Sequence, residues 1–138
     1  MIDLIDVYYY SYSADLLYAL LKERTPKQSI SHKGMPSYEE HQAFIASVPY
    51  KAWYIIVTPD HPLPVGATYL THQNEIGIFI FEEHHRKGYA KQAVEALMSL
   101  HRGNSPFLAN INPDNKASIA FFKKLGAQLI QHTYEIRQ

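Results

Sequence analysis

Residues 74–103 read NEIGIFIFEEHHRKGYAKQAVEALMSLHRG, and the period of the sequence changes inside them. Residues 76–81 are an apolar run in which Ile78, Phe79, Ile80 and Phe81 all favour extended backbone, predicting a strand over 75–81. A polar turn follows, Glu82 to Lys87, closed by Gly88. From there Ala90, Ala93, Val94, Leu97 and Leu100 recur at helical spacing, and Gly103 is placed to end the helix. Strand, basic turn with glycine, then helix presents free backbone N–H groups and a positive helix end to an anion. Arg86 and Lys87 add charge at the same spot. The stretch is read as a seat for phosphate.

Working outward, residues 51–58 and 65–71 predict two further strands joined to the first by short turns, an antiparallel meander with Gly66 as a bulge. Upstream, residues 2–10 read as a first strand, and Ser13 as the N-cap of a helix to Arg24. Ser37 and Glu40 form a capping box that opens a short helix with His41, Phe44 and Ile45 inward. Downstream, residues 107–111 predict a short strand, parallel to 75–81 because a helix lies between them. Asn115 caps a helix over 116–125 that Gly126 closes, and residues 128–137 read as a last strand. The order is β-α-α-β-β-β-α-β-α-β.

Composition narrows the classes. The 138 residues suit one domain, 1–138, and 46% apolar against 19% charged is ordinary for a globular chain. Thirteen basic and thirteen acidic residues cancel, which argues against a nucleic-acid or anionic-membrane partner. With no cysteine there is neither disulfide nor thiolate chemistry, and the eight histidines are scattered, so no metal site is expected. The longest apolar runs are far too short to span a bilayer. With no secretory leader evident, a cytoplasmic location is the expectation.

Two stretches together resemble the GNAT superfamily of N-acetyltransferases. The turn His85-Arg86-Lys87-Gly88-Tyr89-Ala90 is similar to its acyl-CoA pyrophosphate loop, usually Arg or Gln, two residues, Gly, one residue, then Gly or Ala. Asn115 to Gly126, NKASIAFFKKLG, is similar to its second signature, in which Asn precedes Ala or Ser, an aromatic, a basic residue and a helix-ending Gly. The resemblance implies an α+β, three-layer GNAT-like fold. It has four helices and a mixed, mostly antiparallel sheet with a splayed parallel central strand pair. Three positions depart from the pattern. His85 stands at the first loop position, Phe122 stands where many members carry a Tyr acid, and the C-terminus has room for one strand where a hairpin is usual.

The resemblance also implies roles. Backbone groups of Ile78, Phe79 and Ile80 would pair with the pantetheine arm of acetyl-CoA. The His85 turn, through the N–H groups of Arg86, Lys87, Gly88, Tyr89 and Ala90, would take the pyrophosphate, and Asn115 and Lys124 would line the other side. Glu75 would act as base toward an amine acceptor, a small molecule, amino sugar or peptide N-terminus. Tyr134, ahead of Tyr69, would supply the acid. The first two helices and their loop, 13–47, would shape the acceptor pocket, with His32, Tyr9 and Tyr12 as possible lining. Two other classes fit the same residues: a non-catalytic acyl-CoA-binding module, and an interaction domain. A homodimer is compatible with each.

Overall fold

The computed structural model describes residues 1–24 and 34–138. Its sheet has four strands in the order β1 (Asp3–Asp6), β2 (Ala52–Val57), β3 (Gly66–Leu70) and β4 (Ile76–Ile80), every neighbouring pair antiparallel. The predicted meander is present. Helices α1 (Ser13–Glu23) and α2 (Tyr38–Ala46) precede β2, α3 (Tyr89–Leu100) follows β4, and α4 (Lys116–Lys124) comes last.

The sheet is the middle of three layers. On one face Trp53, Ile55 and Ala67 pack with Leu17 and Leu20 of α1 and with Val7. On the other, Ile56 and Val65 meet Tyr89 and Ala93 of α3, while Leu70 and Ile76 meet Val94 and Leu97. Phe121 and Leu125 bring α4 onto that second face. Ile55, Ile56, Leu70 and Leu97 have no exposed surface, and each such side chain stabilises the fold by about 1.5–3 kcal/mol. β2 feeds both cores, since adjacent residues of a strand point to opposite faces.

Several expectations change. The first strand stops at Asp6, because its carboxylate accepts a 2.8 Å bond from Tyr8 N–H and caps a 3-10 turn over Val7–Tyr9. Tyr12 is the N-cap of α1. Ser13 instead sits buried as the first helical residue and donates to the carbonyls of Val7 and Tyr10 at 2.6 and 2.9 Å. Gly66 is no bulge: it pairs in register with Ile56 and Ile80, and a Cβ there would lie 2.2 Å from the carbonyl oxygen of Phe79. The Ser37–Glu40 capping box of α2 forms as read.

The two segments after α3 differ most. The 107–111 segment meets β4 at one parallel bridge, Glu75 to Leu108, with Ile76 N–H donating to Leu108 at 2.7 Å and Leu108 N–H to Asn74 at 2.8 Å. The parallel direction holds, and beyond the bridge the two segments part. Residues 128–137 form no strand. All of 127–138 is exposed, because the segment does not return to the sheet. No helix among the described residues is long and apolar enough to cross a membrane.

Candidate active site

Where β4 and the 107–111 segment part, a cleft of about 1060 Å³ opens. Its floor is β4. Odd-numbered residues there bond toward β3, as Phe81 N–H to Val65 and Glu75 C=O from Thr71 show. Alternation along the strand therefore turns the backbone of Ile76, Ile78 and Ile80 the other way. Ile76 is taken by Leu108. The carbonyl of Ile80 accepts a 2.8 Å bond from the ring Nε2 of His85, which must carry the proton. The N–H and C=O of Ile78 and the N–H of Ile80 are left facing the cleft without a backbone partner among the described residues. Phe79 faces β3 by its backbone, so it meets the cleft by its ring alone, a correction to the strand-pairing role expected of it.

At the far end of β4 the chain makes a 3-10 turn over Glu82–His84 and then a tight loop with two left-handed residues, Arg86 at φ 65° and Gly88 at φ 81°. Gly88 is the N-cap of α3, no side chain caps that end, and its first turn holds no acidic residue. The first N–H groups of a twelve-residue helix thus open on the cleft with the positive end of its dipole behind them. His85, Arg86, Gly88, Tyr89 and Ala90 line it, and Lys87 is exposed beside it without lining it. Asn115 and Lys124 form the opposite wall with Phe122. Asn115 also caps α4, accepting from Ser118 N–H at 3.2 Å.

Glu75 stands at the root of the splay, half-buried. Thr71 Oγ1 donates to one carboxylate oxygen at 3.0 Å, and Asn110 Nδ2 donates to the other. The carboxylate is thereby fixed across the parting strands. Two residues along, Gly77 leaves room for the ring of Tyr69, the facing residue of β3. Tyr69 stacks on Tyr50 with centroids 3.9 Å apart and planes 1° from parallel.

Arg24 completes this group. Its guanidinium lies 4.3 Å from the centre of the Phe79 ring, and its buried Nε has no hydrogen-bond partner among the described residues. Burial lowers its pKa, and the neighbouring phenols of Tyr69 and Tyr50 oppose that. Burial raises the pKa of Tyr69 and the Glu75 carboxylate adds to that, while Arg24 and Tyr50 pull it back down.

A second cavity of about 250 Å³ lies behind Tyr69, between α1, α2 and the sheet, with Leu17, Phe44, Tyr50 and Trp53 among its walls. Leu20, Arg24, Tyr69 and Phe79 border both spaces. Tyr9 and Tyr12, 86% and 67% exposed, line neither, and His32 lies outside the described residues. Tyr134 is 81% exposed on the C-terminal segment and does not reach the cleft, so the expected acid is not brought to the site. Arg24, Tyr50 and Asn110 are the additions. Nothing in the local sequence marks Arg24 or Tyr50, and only the position of Asn110 at the end of a strand hints at its part.

An acetyltransferase (GNAT) domain model matches residues 11–128. The chain belongs to the GNAT acetyltransferase family. No curated sequence matches it. Among solved structures, a domain from Methanocaldococcus jannaschii superposes with TM-score 0.81 at 22% identity, covering 98% of this chain and 93% of that one. The aminoglycoside acetyltransferase AAC(6')-Iy, solved with a bisubstrate analogue, CoA-S-monomethyl-acetylneamine, superposes at 0.75 with 17% identity, covering 100% and 98%. A ribosomal-protein-alanine N-acetyltransferase from Brucella melitensis superposes at 0.67 with 16% identity, covering 91% and 83%. The α+β, three-layer GNAT-like fold expected from the sequence is thus the fold of this chain.

Proposed function

We propose that this GNAT domain transfers an acetyl group from acetyl-CoA to a primary amine, with the amine attacking the thioester directly. The observation that carries the reading is the pairing of two open donor sets in one cleft. Ile78 and Ile80 offer strand-edge groups, and the left-handed loop leads to an uncapped helix end. The first set suits an amide-bearing arm added as a strand, and the second suits a pyrophosphate. That a CoA conjugate occupies a protein of this fold supports the same assignment.

The chemistry then falls to residues around Gly77. Near neutral pH the amine arrives protonated, with a pKa of roughly 10, and must lose a proton to attack. Glu75, held by Thr71 and Asn110, accepts it. The nitrogen bonds to the thioester carbon, the carbonyl oxygen becomes an oxyanion, and the open Ile78 N–H stabilises it. As the carbon–sulfur bond breaks, the thiolate takes a proton from Tyr69 rather than Tyr134. Burial keeps that phenol protonated until it is needed, Arg24 and Tyr50 stabilise the phenolate left behind, and the phenolate then takes the second proton, the one still on the nitrogen that becomes the amide. The acceptor's body occupies the apolar second cavity, which meets the cleft at Tyr69.

The test has two stages. Melting with saturating acetyl-CoA should raise stability by about 2.7 kcal/mol at a hundred times its Kd, and no shift would remove the cosubstrate from the reading. Release of free CoA thiol over a panel of primary amines with apolar and polar bodies then separates catalysis from binding alone. Binding without release on any amine identifies a non-catalytic module.

A further inference from the structure

Among the described residues, the cation at Arg24 has no anion to pair with. Residues 25–33, TPKQSISHK, which follow it in the sequence, contain neither Asp nor Glu. Three acids that border the cleft or the second cavity are committed elsewhere. Glu23 accepts from Glu82 N–H at 2.9 Å, Glu40 from Ser37 N–H at 2.8 Å, and Glu75 from Thr71 and Asn110. No carboxylate is among the groups that move the pKa of Arg24: burial lowers it, and the phenols of Tyr69 and Tyr50 oppose that. Its Nε is buried and unbonded, with the Phe79 ring 4.3 Å from the guanidinium. A guanidinium taken out of water without a counter-ion destabilises the empty protein. An anion that enters beside it removes that cost.

The position of Arg24 says which anion. It borders both the cleft and the second cavity, as Tyr69 does. The Tyr69 phenol feels two charges, Arg24 and the Glu75 carboxylate, so the unpaired cation and the proposed base stand about one hydroxyl. Behind it lies the cavity of about 250 Å³, with Leu17, Phe44 and Trp53 in its walls. A dry apolar cavity of about 150 Å³ holds a benzene ring. A base for an amine, a cation for a carboxylate and a space for an apolar group therefore meet at one place.

We propose that the acceptor is a free α-amino acid with an apolar side chain, its carboxylate held by Arg24. This rests on the acetyl-transfer reading above and narrows its acceptor. The guanidinium takes the carboxylate through two parallel N–H bonds, and its remaining N–H groups stay with the phenols. The side chain fills the second cavity, which leaves the α-amine at Tyr69, toward Glu75 and the thioester. A peptide N-terminus brings no charge to Arg24, because its first carboxyl is an amide. An amino sugar brings neither the charge nor the apolar body.

The chain's one tryptophan, Trp53, is in the cavity wall, so its fluorescence reports occupancy with no cosubstrate present. Phenylpropionate, which has the carboxylate and the ring but no amine, should give a saturable change. Uncharged phenylpropionamide should bind roughly tenfold or more weakly, since it loses a charged hydrogen-bond pair. No change, or equal affinities, overturns the proposal. In Arg24→Gln, with its fold checked by circular dichroism, the two affinities should converge. A gap that persists there overturns Arg24 as the contact, and so does a loss confined to acetyl-CoA binding.

Thiol release then separates this site from the reaction. In the parent, phenylalanine should exceed phenethylamine in kcat/KM by roughly tenfold or more. That ratio should collapse in Arg24→Gln, whatever absolute rate the variant loses through Tyr69. Equal turnover of the two amines by the parent overturns the amino-acid acceptor and leaves acetyl transfer standing. Carboxylate-dependent binding with no thiol release from any amine does the reverse: the Arg24 site stands and acetyl transfer falls.

Discussion

Gly77 and Tyr69 face each other across β3 and β4, and a Cβ at Gly77 would lie 2.1 Å from Cζ of the Tyr69 ring. The ring therefore lies flat across the strand, at the point where the cleft and the second cavity meet. Gly77→Ala should displace it. Overpacking of this kind costs about 1–3 kcal/mol, a fall of several degrees in Tm for a chain of this size. Combining it with Tyr69→Ala should recover part of that loss, since the clash then has no partner. Strict additivity in the double-mutant cycle would show that the ring is not what Gly77 accommodates.

Tyr69→Phe keeps the ring and removes the hydroxyl. If the phenol protonates the departing thiolate, kcat should fall by on the order of 10²-fold, while the KM for acetyl-CoA stays within a small factor, because only the transition state loses an interaction. Equal kcat in the variant would leave the thiolate to solvent. A change confined to KM would make Tyr69 a wall of the acceptor pocket.

Glu75→Gln preserves the shape of the side chain and can still accept from Thr71, but cannot take a proton from the amine. The expected loss in kcat/KM is about 10²–10⁴-fold. Its residual rate should climb roughly tenfold per pH unit below the amine's pKa, near 10, as free amine accumulates without help. A pH profile parallel to the parent's would show that the carboxylate only ties Thr71 to Asn110.

How far the sequence carried these readings follows from the range of the forces involved. The β2–β4 meander, α3 and the loop at Gly88 rest on local periodicity and turn chemistry, and residues 51–103 hold both. Glu75, Gly88 and Asn115 could be picked out as cleft residues because each sits at an element's end. The Arg24, Tyr50 and Tyr69 group was not legible as a unit: its members come from α1's end, a loop and β3, and only the fold brings them together. Phe79 could be placed on β4 but not given a direction, because which residues of an edge strand bond inward depends on register with β3. The C-terminal segment misled for the opposite reason. Its alternation is genuine, but the segment lies exposed off the sheet, which keeps Tyr134 away from the cleft.

The loop before α3 carries a pH dependence. His84 is 3% exposed, its Nδ1 has no hydrogen-bond partner among the described residues, and the ring of His61 meets it edge-on at 4.1 Å. Burial lowers its pKa most, His61 and Lys87 lower it further, and Glu83 and Glu23 partly oppose them. A histidine whose folded pKa lies below its unfolded value, roughly 6.5, contributes stability that is complete above that value. As pH falls through the window from there to the folded pKa, the unfolded chain binds the proton first and the contribution is lost. Denaturation midpoints should therefore drop on acidification below about pH 6.5, with a slope from this one group of at most about 1.4 kcal/mol per pH unit. His84→Phe fills the same buried space without titrating. It should flatten that slope without abolishing it, because burial also lowers the pKa of His101. An unchanged slope in the variant would place the acid sensitivity elsewhere in the chain.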